Sequence, residues 1–91
     1  MLEKVYETIR ARRAQPKEGS YTQYLQQSGL DKMLKKIAEE AGEVIISAKN
    51  ADAQHLVEEM ADLYYHTLVL LEEKGISLDQ VNHELKKRHN C

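Results

Sequence analysis

The 91-residue sequence contains no tryptophan, no phenylalanine, one proline and one cysteine. Without Trp or Phe, large aromatic volume must come from five tyrosines, each with a hydroxyl that wants a hydrogen-bond partner. A chain this short, treated as one domain over residues 1–91, sits near the size where a single core is only marginally stable. It gains by burying apolar surface against a second copy, so a homodimer is expected. The lone cysteine, Cys91, excludes an intrachain disulfide and a thiolate zinc site, and reads as an inert terminal residue. No apolar run approaches a membrane span, and Met1-Leu2-Glu3-Lys4-Val5-Tyr6 carries charges where a signal peptide needs an apolar core. A cytoplasmic chain is expected. A formal net charge of −2 argues against nucleic acid as the main partner. Strand-like alternation and internal repeats are lacking too, which leaves an all-α chain.

Helical signals are plentiful. Leu2, Val5, Tyr6 and Ile9 repeat at three-and-four spacing and predict a first helix ending at the basic Arg10-Ala-Arg12-Arg13. Pro16 and Gly19 mark a connector. Ser20-Tyr-Thr-Gln23 matches a capping box for a short second helix stopped by Gly29. The third helix is predicted from near Asp31 to Lys49-Asn50, with Leu34, Ile37, Ala38, Ala41, Val44, Ile45 and Ala48 as its apolar stripe. Lys32, Lys36, Glu40, Glu43 and Ser47 form the adjacent polar face. Gly42 costs this helix about 1 kcal/mol relative to Ala and invites a close approach by backbone or ligand. Asp52 caps a fourth helix carrying Leu56, Met60, Leu63, Tyr64, Leu68 and Leu71, which Gly75 ends. Ser77-Leu-Asp-Gln80 opens a last helix with Leu78, Val81 and Leu85 inward. The two long helices, joined by a short turn, make an antiparallel hairpin; two hairpins, one per chain, would complete a four-helix bundle.

Two acidic clusters, Glu39-Glu40-x-x-Glu43 and Glu59-x-x-Asp62, lie on those long helices. Residues three apart share a helix face. Counted outward from the Asn50-Ala51 turn, Glu43 and Glu59 stand at similar heights, as do Glu40 and Asp62, so all four can meet at one level. Each like-charged pair at about 5 Å and an effective dielectric of about 20 costs roughly 3 kcal/mol. A hard divalent cation with oxygen ligands is the natural compensation. The competing reading is a solvated acidic face. Glu39 stands about 100° around the helix from Glu40; it either orients and deprotonates a water or simply faces solvent.

Lys32, Lys35, Lys36 and Lys49 flank the carboxylates with positive charge that suits a polyphosphate, although i,i+4 pairing of Lys36 with Glu40 and Lys35 with Glu39 explains any one of them. His66, one turn beyond Asp62, is read as a hydrogen-bonded core residue rather than a ligand, and His55, His83 and His89 show no metal spacing. Tyr21 and Tyr24 are assigned to the core, with stacking on a base as the alternative. No Glu is followed three residues later by His, which disfavours a ferritin-like di-iron site. A phosphate-cradling glycine loop is absent as well.

Taken together, Ser20-Tyr21-Thr22, Gly29-Leu30-Asp31-Lys32, Leu34-Lys35-Lys36, Glu39-Glu40-Ala41-x-Glu43, Ala48-Lys49-Asn50 and Ala61-Asp62-Leu63-x-Tyr65-His66 resemble the phosphoribosyl-ATP pyrophosphohydrolases of histidine biosynthesis. Those enzymes fall within the all-α nucleoside triphosphate pyrophosphohydrolase superfamily, which includes MazG-type proteins and dimeric dUTPases. The resemblance implies Mg²⁺-dependent hydrolysis of phosphoribosyl-ATP to phosphoribosyl-AMP and pyrophosphate in a homodimer or dimer-based assembly. It further implies Glu40, Glu43, Glu59 and Asp62 as metal ligands and Glu39 as the water-activating or second-metal residue. Lys32, Lys36, Lys49 and Asn50 are then expected to bind substrate. Some similar proteins carry a fused cyclohydrolase; 91 residues leave no room for one, so that step is expected on a separate protein. A house-cleaning nucleoside triphosphate pyrophosphatase and a non-catalytic helical dimerisation module are the competing functions.

Overall fold

The computed structural model describes residues 1–90, so Cys91 and its predicted inertness lie outside the described residues. The described residues form five helices: α1 (Leu2–Ala14), α2 (Tyr21–Ser28), α3 (Leu30–Ala48), α4 (Ala53–Glu73) and α5 (Leu78–His89). No strand occurs among the described residues, and no helix there is long and apolar enough to cross a membrane.

Local chemistry sets the boundaries. Ser20 Oγ accepts from Gln23 N at 3.0 Å to start α2, Asp52 Oδ1 accepts from His55 N at 3.2 Å to start α4, and Ser77 with Gln80 closes a full capping box on α5. Gly75, at φ 68°, ends α4 in a left-handed turn. There Ile76 N reaches back to Leu71 O at 2.9 Å, the pattern that satisfies a helix's last carbonyls. Gly42, by contrast, has open space where a Cβ would stand, so it marks no close approach.

α3 and α4 form the expected hairpin, and α1 and α2 pack across its open end. The core is Tyr6, Ile9, Leu25, Met33, Leu68, Val69 and Leu78, with Val5, Tyr65 and Leu71 packed against it. Tyr6 donates its hydroxyl to Ile76 O at 2.9 Å. Arg13 Nε donates to both carboxylate oxygens of Glu72 at 3.0 and 2.7 Å, and its guanidinium also reaches Glu73 at 2.6 Å. Gln26 donates to Glu72 and to Ile9 O, so three helices meet at one carboxylate whose side chain is 7% exposed.

The predicted inward stripes need correcting. Leu34, Ala38, Ile45 and Ala48 are exposed, as are Tyr64 on α4 and Leu85 on α5. The buried positions of α3 are Met33 and Ser47, with Ile37, Glu40 and Val44 partly covered along the same face. The covered face of α3 thus mixes Met33, Ile37 and Val44 with Glu40 and Ser47, while Leu34, Ala38, Ile45 and Ala48 face solvent.

Ile9 is 1% exposed and touches no solvent that could relax a hole. Ile9→Ala is expected to cost about 3 kcal/mol in a denaturant titration, within the range for aliphatic truncation in a packed core.

Candidate metal and phosphate site

The inward polar face of α3 meets the matching face of α4 about midway along the hairpin. One carboxylate oxygen each of Glu40, Glu59 and Asp62 lies within 4.8 Å of the others. Glu43 is exposed and outside this trio, although near enough for its charge to act on Glu59. Three of the four carboxylates expected at one level thus converge, with Glu43 to one side.

Around the trio the contacts are specific. Lys36 Nζ lies 3.2 Å from Glu39 Oε2 and 3.6 Å from Glu40 Oε1, bridging both; Glu39 itself is solvent-facing. The Lys36–Glu40 pairing is present, whereas Glu39 takes Lys36 rather than Lys35. Lys32 sits with its ammonium 5.8 Å from the centre of the Tyr24 ring. Lys49 and Asn50 lie exposed in the hairpin turn. Seventeen residues separate Lys32 from Lys49, about 25 Å along the helix, so the two cannot hold the same phosphate.

His66 is buried, as expected. Its Nδ1 faces the Asp62 carbonyl at 2.7 Å and must donate to it, which leaves Nε2 to accept from the Tyr21 hydroxyl at 2.9 Å. The tautomer follows from the carbonyl, which can only accept. Tyr21 and Tyr24, assigned to the core from sequence, are instead 45% and 48% exposed, because the inner face of α2 is taken by Leu25. Tyr65 and Thr22 hydrogen-bond through their hydroxyls beneath them.

His55 is the residue missed from sequence. Its Nε2 lies 3.2 Å from Glu59 Oε1 and its Nδ1 3.5 Å from the buried Ser47 hydroxyl. The i,i+4 spacing of His55 and Glu59 carries that signal.

Burial, followed by the charges of Glu40, Asp62 and Glu43, pushes the Glu59 carboxyl above the usual glutamate value, with His55 pulling the other way. Lys36 hydrogen bonding holds Glu39 below it. An all-carboxylate donor set converging from two helices suits a hard cation better than a soft one.

A raised folded-state value means that ionised Glu59 destabilises the metal-free fold. That cost is fully present above the folded pKa and gone below the unfolded one. In EDTA, Glu59→Gln is expected to raise Tm at neutral pH, with the gain shrinking as pH falls through the carboxylate range. Carbon-detected NMR titration should find Glu59 above the ordinary glutamate value, and closer to it in Glu40→Gln.

The sequence profile described as phosphoribosyl-ATP pyrophosphohydrolase matches residues 2–89. A protein of Lactiplantibacillus plantarum named phosphoribosyl-ATP pyrophosphatase is 56% identical over 87 residues, which cover 96% of this chain and 82% of that one. One of the same name from Listeria monocytogenes is 59% identical over 88 residues, covering 97% and 84%. The histidine biosynthesis bifunctional protein HisIE of Oceanobacillus iheyensis is 51% identical over 89 residues, spanning 98% of this chain and 41% of that protein. With the likeness extending through all five helices, the chain belongs to the phosphoribosyl-ATP pyrophosphohydrolase family.

Proposed function

We propose that this protein hydrolyses phosphoribosyl-ATP to phosphoribosyl-AMP and pyrophosphate, the second step of histidine biosynthesis, using Mg²⁺ at the Glu40–Glu59–Asp62 trio. The observation that carries this reading is the convergence of three carboxylates from two helices, within 4.8 Å, in a chain of this family. Glu40, Glu59 and Asp62 would hold the ion, with Glu43 beside them. When bound, Mg²⁺ supplies neutralisation of polyphosphate charge and eases ionisation of an attacking water.

The remaining work falls to the chain's own side chains. Water attacks a phosphorus of the anhydride, the bridging P–O bond breaks, and pyrophosphate departs with its electron pair. Glu39 is the proton acceptor in this reading. Its lowered pKa makes it a weak base while Lys36 is bound, so it orients the water first. Lys36, turning from Glu39 to a phosphate oxygen, would both neutralise developing charge and restore basicity to Glu39. His55 holds the Glu59 carboxylate against rotation, and Lys32 extends the positive flank.

The quaternary part of the reading is a homodimer closing a four-helix bundle. Its support is the outward apolar strip of the hairpin, where Ile45 is 62% and Val57 59% exposed, joined by Leu34, Ala38, Ala61 and Tyr64. So many exposed apolar side chains are unusual on a lone helix pair. The reading includes a cytoplasmic location and, on a net charge of −2, no nucleic-acid partner.

Pyrophosphate release from phosphoribosyl-ATP and from each common nucleoside triphosphate, with Mg²⁺ and with EDTA, tests the assignment. Turnover of phosphoribosyl-ATP that needs Mg²⁺ is expected, and Glu40→Gln or Asp62→Asn should lower kcat by at least about 100-fold. Comparable turnover of ordinary triphosphates would favour the house-cleaning enzyme, and no turnover of any would favour the dimerisation module. Mg²⁺ should also raise Tm by mass action in the wild type but not in Glu59→Gln. For the dimer, Ile45→Glu is expected to sediment as a monomer.

A further inference from the structure

Two of the five tyrosines stand half-exposed at one edge of the carboxylate site. Tyr21 and Tyr24 are three residues apart on the first turn of α2, and their rings stack at 5.9 Å between centres with 29° between planes. This ledge is held rigidly. The Tyr21 hydroxyl is tied to His66, and its ring meets the His66 ring edge-on at 5.7 Å and Tyr65 at 6.1 Å. His66 in turn is bonded to the backbone of Asp62, a member of the trio. Lys36, which bridges Glu39 and Glu40, is close enough for its charge to act on the Tyr21 phenol, and Lys32 lies at the Tyr24 ring.

The order outward from the trio is therefore carboxylates, Lys36, Tyr21, then Tyr24 with Lys32. A nucleoside polyphosphate presents the same order of chemistry: phosphates for metal and ammonium, then a flat aromatic base. Tyr24 rests on the anchored Tyr21 ring, which limits the freedom it loses when a base stacks on it, and every purine has a face to offer.

We propose that the Tyr21–Tyr24 ledge is the platform on which the adenine of the substrate stacks, Tyr24 making the face contact as the Lys32 ammonium, now 5.8 Å from the centre of its ring, turns to a phosphate. This inference rests on the reading of the protein as a phosphoribosyl-ATP hydrolase. Tyr24 then determines substrate affinity without taking part in bond breaking, whereas Tyr21 both borders the base and positions His66.

The test compares Tyr24→Ala with Tyr24→Phe. KM for phosphoribosyl-ATP is expected to rise about tenfold or more in Tyr24→Ala, in line with loss of one base–aromatic stack, with kcat nearly unchanged. Tyr24→Phe should keep the wild-type KM, and both variants should keep the Mg²⁺-induced rise in Tm. A wild-type KM in Tyr24→Ala would overturn the proposal. So would a shift of Tyr24→Ala to a smaller species in sedimentation, because the ledge would then be covered by a second copy. Saturation-transfer NMR with AMP in EDTA reads the ledge independently of hydrolysis. Adenine protons should be saturated in the wild type and lose that effect in Tyr24→Ala. If the wild type leaves phosphoribosyl-ATP intact but still saturates AMP in a Tyr24-dependent way, the activity assignment fails while the ledge stands; absence of adenine saturation in the wild type overturns the ledge.

Discussion

Repulsion among carboxylates set into the seam between α3 and α4 is the constraint on which this structure turns. A hairpin of two long helices would ordinarily zip together through an apolar stripe. Here the seam sets Glu40, Ser47 and Glu59 among Ile37, Val44 and Met60, while Leu34, Ile45 and Val57 stay exposed. Burial and the charges of Glu40, Asp62 and Glu43 push the Glu59 carboxyl up, so its ionised form costs the metal-free fold stability. Lys36 and His55 offset part of that cost from the two sides. The trade of stability for a charged, preorganised centre is a recognised pattern at functional sites, and it explains why the hydrophobic core has retreated to one end of the hairpin.

That core owes its position to the two N-terminal helices. Ile9 and Leu25 fill the space between α1, α2 and the open end of the hairpin, and Arg13 with Gln26 ties the same helices to Glu72 on α4. The apolar end and the acidic middle are thus separate regions of one hairpin. His66 stands at their border, its backbone partner in the acidic region and its ring among tyrosines.

Local features of this fold were legible in the sequence, and facing directions were not. Ser20, Asp52, Ser77, Gly29 and Gly75 announced helix ends because capping needs only a residue and its near neighbours. The grouping of Glu40 with Glu59 and Asp62 followed from helical spacing and a short turn. The inward face of α3 was misread because it carries apolar side chains on two sides, and periodicity alone cannot say which side meets α4. The exposure of Tyr21 and Tyr24 escaped for a related reason: an aromatic pair on a short helix looks the same whether it seals a core or borders a site. The reach of Arg13 to Glu72, across 59 residues of sequence, had no local signature at all.

α5 is attached to the body by little more than its first turn. Leu78 is buried and Val81 half-buried, but every later residue of the helix is exposed. Its capping box and its basic last turn stabilise it as a helix, yet few tertiary contacts bind it to the rest. Such a segment opens and closes on its own, far below the free energy of global unfolding. The distal turns of α5 can therefore drift in sequence or unwind without disturbing the carboxylates, and the effective catalytic body ends near Val81.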